Sequence, residues 1–322
     1  MVHLVSDEHM NPAYLWLNGE VLRWEDATVH VTELGWSTVG AVFEGIRAYT
    51  SMDGGELFVF RLNEHMERFE RSTRLVRLRT GRSVAEFNQI IIDLLRVNES
   101  MEDTYIRPLA YTAETGNKRF AQVGSDAAVL INTHPMATHL LTGMTMTAKV
   151  SSWRRISEDV MPPRIKNLSN YRNSSLGTTE ARLDGYDTAI FLNTRGTVSE
   201  GPGSCLMMIK DGVLITPDVT SSILESITRD ALMVLAREVL GMPVVERQVD
   251  RTELYTADEL FTCGTAAEIS PIVSVDHYDV GHGQIGPVTR RLEEEFNNVL
   301  RGNEKRFAHW RTPVYAGAAV RS

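Results

Sequence analysis

Lys166 stands in the stretch MPPRIKNLSNYRNSSLG, after two prolines and ahead of small and amide residues, a tyrosine and two serines. A lysine is usually a solvated surface charge, because an ammonium is costly to bury without a partner. Other segments give this one a different reading. Without its proton the amine is a nucleophile, and the nearby Tyr171 supplies a phenol able to donate to an oxyanion.

Three further stretches are suited to an anion. In SSILESITRDAL, small and hydroxyl residues precede a helix, so backbone N–H groups and the positive end of the helix dipole face whatever lies before Ser226, Ile227 and Thr228. The plainer reading is that Ser226 or Thr228 caps its own helix. In CGTAAE, Gly264 lets the chain turn so that the N–H groups of Thr265 and Ala266 can meet a carboxylate or phosphate; a simple tight turn explains it equally well. In TVSEGPGSC, Glu200 lies among small residues, and Gly201 and Gly203 permit close backbone approach. Neither the G-x-G-x-x-G spacing nor a G-K-[ST] ending is present.

One chemistry uses the whole set. Pyridoxal phosphate needs a lysine to hold its aldehyde as an imine, and an anion such as Glu200 to keep its pyridine nitrogen protonated. A donor such as Tyr171 suits its phenolic oxygen, and Arg61 with helix-start amides suits its phosphate. Metal and serine-nucleophile chemistry is not supported: H-E-x-x-H, C-x-x-C and G-x-S-x-G are absent, and His65, His277 and His282 read as structural or solvent-facing.

The elements that must position these groups follow from pattern. YLWLNGEVLRW alternates around Asn18-Gly19, a dipeptide suited to a tight hairpin, and the second strand is read on through ATVHV. ELFVFRL is a strand, and NEHMERFERSTRLVRLRTG a helix carrying Met66, Phe69, Val76 and Leu78 up to a stop at Gly81. Ser83 and Glu86 form a capping box for the next helix, and TYIRPLAYTAE and DAAVLINTHPM follow as strands. The pattern weakens at LLTGM, so a linker is expected over 140–146, between a smaller domain 1–139 and a larger one 147–322. Beyond it MTAKVSSWRRI, TAIFLN and SCLMMIKDGVLITP read as strands and SITRDALMVLAREVLG as a helix; ADELFTCGTAAEISPIVSV reads as strand, turn and strand, and GPVTRRLEEEFNNVLRG as an amphipathic helix.

Composition bounds the possibilities. At 322 residues, two domains are the natural expectation, and 43% hydrophobic with 23% charged residues describes a globular protein. A net charge of -9 argues against a nucleic-acid partner. Two distant cysteines make no disulfide framework and fit a reducing cytoplasm. The opening MVHLVSDEHMNP lacks signal-peptide character, and no stretch is long and apolar enough for a membrane helix.

The blocks FEGIRAY, IKNLSNY, VSEGPGSCL, SSILESITRD and ELFTCGTAAEISP, in this order and spacing, resemble the branched-chain amino-acid aminotransferases, pyridoxal-phosphate enzymes of fold type IV. The resemblance runs from about Tyr14 to Gly302. It implies a mixed α/β fold, with a smaller N-terminal α/β domain and a larger C-terminal domain built on a β-barrel-like core. Lys166 would bond the cofactor aldehyde and shuttle the proton, Glu200 would pair with the pyridine nitrogen, and Tyr171 with the phenolic oxygen. Arg61, Ser226, Ile227, Thr228 and Thr265 would cradle the phosphate, while Leu224 packs on the ring. Thr265 and Ala266 would meet the substrate α-carboxylate beside Tyr105. Phe43, Gly45 and Arg47 would line the pocket, and Arg107 would receive the acidic side chain of glutamate.

The implied partners are amino acids, 2-oxo acids and a second copy of the chain, with sites between subunits. Thr38 replaces a usual tyrosine, which widens the pocket and extends the expectation to (R)-amines, with Trp36 filling part of the gap. Ser226 replaces a usual glycine, and the usual glycines after the lysine are missing. A D-amino-acid aminotransferase, an aminodeoxychorismate lyase and a non-catalytic phosphate-binding module remain as alternatives.

Overall fold

A computed structural model describes residues 11–113 and 124–316, and in the helix 31–39 it leaves undescribed the side chains of residues 33 and 35–37. The opening residues 1–10, and the Trp36 side chain expected to fill space beside Thr38, therefore lie outside the described residues. Contacts divide the chain into two compact units, 1–138 with 299–322 and 139–298. The sequence pattern places 299–322 in the second domain. In the structure this segment returns to the first sheet, which leaves two units of near-equal length in place of one small and one large.

Unit 1 opens on β1 (Tyr14–Leu17) and β2 (Glu20–Arg23), joined through Asn18 and Gly19 at φ 52° and 115°, the positive values that this dipeptide tolerates. The second strand stops at Arg23, and the residues beyond it form a short 3-10 turn and then helix α1 (Val31–Val39), not the extended strand expected there. Then follow β3 (Val42–Phe43), β4 (Ile46–Thr50), β5 (Leu57–Phe60), α2 (Leu62–Leu75), β6 (Leu78–Arg79), α3 (Val84–Val97), β7 (Thr104–Thr112) and β8 (Ser125–Pro135). The helix α2 ends well before Gly81. Arg77 takes φ 59°, and Leu78 and Arg79 leave the helix to pair with Ser125 and Asp126. Ser83 and Glu86 form the reciprocal capping box of α3.

Among the described residues, nine strands form the first sheet in the order β17-β5-β4-β7-β8-β1-β2, with β3 on β7 and β6 on β8, where β17 (Arg311–Pro313) is the returning strand. Arg301 binds Asp103 through both guanidinium nitrogens, at 2.5 and 2.7 Å. The Tyr315 hydroxyl donates to Ser100 O at 2.8 Å. These contacts tie the returning segment to unit 1.

Unit 2 contains β9 (Met146–Arg154), α4 (Asn170–Leu183), β10 (Thr188–Leu192), β11 (Cys205–Lys210), β12 (Val213–Pro217), α5 (Ile227–Glu238), β13 (Val244–Arg247), β14 (Glu259–Gly264), β15 (Glu268–Val275), β16 (Tyr278–Asp279) and α6 (Pro287–Leu300), whose last residues belong to unit 1. Its eight-stranded sheet runs β10-β9-β15-β14-β11-β12-β13, with β16 on β15. Beyond β10, Ser199 N donates to Phe191 O and Val198 N to Val249 O just past β13, both at 2.8 Å, so backbone hydrogen bonds link the two ends of the ladder as a barrel-like core requires. An apolar cluster that includes Val150, Ile190, Leu206, Met208, Leu260 and Ile272 fills the place of a barrel interior. Helix α4 directly follows the lysine loop. Its buried residues are Asn170, Ser174, Gly177 and Ala181, and an added Cβ at Gly177 would lie 2.3 Å from the Phe191 ring. That helix packs by small residues.

Candidate active site

In unit 2, Lys166 lies in the loop before α4 and Tyr171 on its first turn. This geometry brings Nζ to 2.8 Å from the phenolic oxygen. The Tyr171 ring stands 3.6 Å from where a Cβ would sit on Gly203, and a Cβ on Gly264 would lie 3.4 Å from the Gly203 carbonyl oxygen. Positions 203 and 264 mark where the lysine loop, the Glu200 loop and the Thr265–Ala266 turn come together, at ordinary contact distance.

Glu200 is buried, and its Oε2 accepts from Leu224 N at 3.0 Å. Burial pushes its carboxyl above the ordinary value, against the opposing pull of the Arg155 guanidinium, the Leu224 N–H and the Lys166 ammonium. Nε of Arg155 stands 2.8 Å from Oε1 but off the N–H axis, which makes a close ion pair without an aligned hydrogen bond. Arg155 is buried as well, and the sequence reading passed it over; an arginine shortly before the lysine carries no motif of its own.

Leu224 leads into α5. Ser226 is its N-cap, and the hydroxyl accepts from Arg229 N at 3.2 Å, which realises the plain capping alternative for this side chain. Ile227 and Thr228 occupy the first turn and are buried. Thr265 is half-buried and Ala266 exposed at the tip of the β14–β15 turn. The residues expected around a phosphate, a pyridine nitrogen and a carboxylate therefore fall in unit 2, apart from Arg61 and Tyr105.

Arg61 is described with unit 1, at the corner between β5 and α2. It adopts φ 46°, donates from Nε to Glu64 at 2.7 Å and lies over the Trp310 ring. Phe43, Gly45, Arg47, Tyr105 and Arg107 come together on the sheet: Phe43 opposite Leu109, and Arg47 opposite Tyr105. A Cβ at Gly45 would meet the Tyr105 oxygen at 2.1 Å, so the glycine gives the phenol its place. Arg47 is buried and donates to Met136 O at 2.5 Å. Arg107 is exposed and donates to Asn132 Oδ1 at 3.3 Å.

His134, also missed in the sequence, stands opposite Tyr105 on β8 with ring centroids 5.1 Å apart. Burial, and then the Arg107 charge, lower its pKa. Only strand register reveals it. Thr38 is exposed on α1, where its hydroxyl donates to Leu34 O at 2.9 Å.

Beneath the FEG block, Glu44 is fully buried and accepts from Arg68 at 2.7 and 2.8 Å, with His65 Nδ1 at 2.9 Å. His65, read as structural, has this structural partner. Among the described residues no group of three or more His, Cys, Asp or Glu gathers as a metal site, and no helix is long and apolar enough to cross a membrane.

The family model for amino-transferase class IV matches residues 41–275. The branched-chain-amino-acid aminotransferase of Escherichia coli K12 is 42% identical over 292 residues, which cover 90% of this chain and 93% of the relative. A probable branched-chain-amino-acid aminotransferase of Aquifex aeolicus is 38% identical over 94% of this chain and 97% of its own length. The crystal structure of the branched-chain amino acid aminotransferase from Thermobaculum terrenum, in its pyridoxal-phosphate form, superposes with a TM-score of 0.91 at 51% identity, over 94% of this chain and 99% of that one. With the lysine, phenol and buried carboxylate gathered in one unit, and with agreement that spans both halves of the chain, this protein belongs to the branched-chain-amino-acid aminotransferases of class IV.

Proposed function

We propose that this transaminase uses pyridoxal 5'-phosphate to move the amino group of L-leucine, L-isoleucine or L-valine to 2-oxoglutarate in a two-stage exchange. The observation that carries the reading is the Lys166–Tyr171 contact at 2.8 Å, set beside a buried Glu200 whose proton affinity is raised. The donor set suits the cofactor: an amine for the aldehyde, a phenol for the ring oxygen, a carboxyl for the pyridine nitrogen and a helix start for the phosphate. When bound, the cofactor supplies an aldehyde that receives the amino nitrogen and a ring that withdraws electrons from the substrate carbon.

Lys166 would hold the cofactor aldehyde, and its free amine would carry the proton at the substrate α-carbon. Tyr171 orients Nζ through its hydroxyl. Glu200, with its raised proton affinity, would pair with the pyridine nitrogen, and Arg155 keeps the carboxyl in place. Ile227, Thr228 and Thr265, with Arg61, would hold the phosphate, and Leu224 would pack on the ring. Thr265 and Ala266 take the α-carboxylate. Tyr105 would lie beside that carboxylate, Phe43, Gly45 and Arg47 would line the pocket, and Arg107 would receive the acidic side chain of glutamate.

A working unit of at least two copies, acting in the cytoplasm, accords with this reading. It is supported by the exposed Val31, Leu34 and Val39 of α1 and by the two free thiols. Side activity on (R)-amines is supported by Thr38, whose hydroxyl is engaged within its own helix where a polar partner would otherwise face the substrate. No conversion of (R)-1-phenylethylamine at high concentration would remove that part.

The test of the main reading is an absorption spectrum of the cofactor-loaded protein with and without L-leucine. A visible band that L-leucine converts to a near-ultraviolet one supports it. Protein that stays colourless after added cofactor refutes it.

A further inference from the structure

We propose that His139 is a positioning residue for the reaction, fixing the Thr265–Ala266 turn so that it can hold the substrate α-carboxylate. The proposal rests on the reading of that turn given above.

The turn links β14 to β15 and closes where Gly264 stands opposite Glu268. Short connections of this kind commonly give their left-handed position to glycine. Here Glu268 takes it, at φ 43°, with its side chain fully buried. A non-glycine residue in that region, and a buried carboxylate, both persist only where the surroundings hold them. His139 is one of the residues that hold Glu268. Its backbone N–H donates to Glu268 Oε2 at 2.9 Å, and its Nδ1 lies 3.1 Å from the same oxygen.

The other side of the ring reaches the turn itself. Nε2 stands 2.9 Å from the Ala267 carbonyl oxygen and 3.2 Å from Ser270 Oγ. A carbonyl only accepts, so Nε2 carries a hydrogen and donates it. Ser270 Oγ donates to the same carbonyl at 2.7 Å. The peptide that ends the turn is thereby held from two directions, and the orientation of that peptide sets the direction of the preceding Thr265 and Ala266 amides.

His139 belongs to the stretch that follows β8, remote in sequence from the turn, and Leu141 two residues on is pinned through its backbone N–H to Glu293. The imidazole does not reach substrate in this scheme. It acts through the turn, so its removal should loosen carboxylate binding and leave proton transfer at Lys166 intact.

The experiment compares wild type, His139→Ala and His139→Gln, each loaded with cofactor. Three quantities are read: cofactor affinity, the dissociation constant of 4-methylvalerate, an aliphatic monocarboxylate, and the concentration dependence of the single half-reaction with L-leucine. The expected result for His139→Ala is a rise of about tenfold in the 4-methylvalerate constant and in half-saturation by L-leucine, as loss of an orienting hydrogen bond implies. The limiting rate and cofactor affinity should stay within about threefold. His139→Gln, which keeps a donor, should recover part of the loss.

Unchanged 4-methylvalerate binding in a folded variant overturns the proposal. So does a parallel fall of cofactor affinity, limiting rate and carboxylate affinity, or the failure of both variants to fold, since each makes His139 a residue of the fold alone. A wild type that binds no carboxylate and shows no half-reaction would instead sink the reading of the active site.

Discussion

Replacing Glu44 by Gln tests whether a buried ion cluster holds the FEG block in place. Glu44 is fully buried between Phe43 and Gly45, and two Arg68 hydrogen bonds and His65 surround its carboxylate. Burial alone would raise its pKa, but the Arg68 charge and hydrogen bonds, with those of His65, outweigh it and hold the carboxyl at about 2 against an ordinary 4.5. Because the folded value is the lower one, the stabilisation is fully present above 4.5 and is lost as pH falls from there toward 2. At ~1.4 kcal/mol per pH unit, that interval corresponds to roughly 3 kcal/mol. Glutamine keeps the shape and loses the charge, leaving Arg68 buried without its counter-ion, a loss of about 3–5 kcal/mol at neutral pH.

The assay is equilibrium denaturation of wild type and Glu44→Gln at a series of pH values from about 7 to about 3. The stability gap should be widest near neutrality and should narrow by about 2 kcal/mol by a pH of about 3, as the unfolded carboxyl takes up its proton before the folded one does. A gap that keeps one size across the series would refute the cluster's role.

Tyr171→Phe removes the hydroxyl 2.8 Å from Lys166 Nζ and should lower the half-reaction rate by about 10–100-fold, with a shifted visible band as the second readout. Gly45→Ala places a methyl against the Tyr105 oxygen, displacing the phenol, and should raise KM for L-leucine by about tenfold or more. His134, whose pKa burial and Arg107 lower, becomes charged only as pH falls below that depressed value, which adds positive charge beside Arg107. The KM for glutamate should therefore fall with decreasing pH while that for leucine does not follow, and His134→Gln should flatten the difference.

Local chemistry was legible wherever a short stretch dictates its own geometry. Asn18-Gly19 announces its hairpin because it accepts positive φ, and Ser83 with Glu86 announces a helix start because each side chain bonds the other's backbone. The helix α4 was hidden because it buries Asn170, Ser174, Gly177 and Ala181, so a search for large apolar residues at helical spacing finds nothing. The end of α2 was misplaced because pairing of Leu78 with Ser125 overrides the helical pattern.

Residue type and order single out Lys166, Tyr171 and Glu200, and the structure sets the first two in contact and buries the third. They do not single out Arg155, His134 and His139, since each gains its meaning from a neighbour distant in sequence: Glu200 for Arg155, Tyr105 across β7–β8 for His134, and the β14–β15 turn for His139.

The return of the chain to the first sheet sets an order on biosynthesis. Unit 2 is an insertion between two pieces of unit 1, so a ribosome delivers all of 139–298 before β17 and the Arg301–Asp103 pair can be made. Until then β5 lacks its partner on one side, and an unpaired edge beside apolar Phe58 and Phe60 is where a nascent chain adheres to its neighbours. The late-arriving residues 311–313 act as the seal of the half that was synthesised first, and a release that stops short of them would leave a finished second unit attached to an unfinished first.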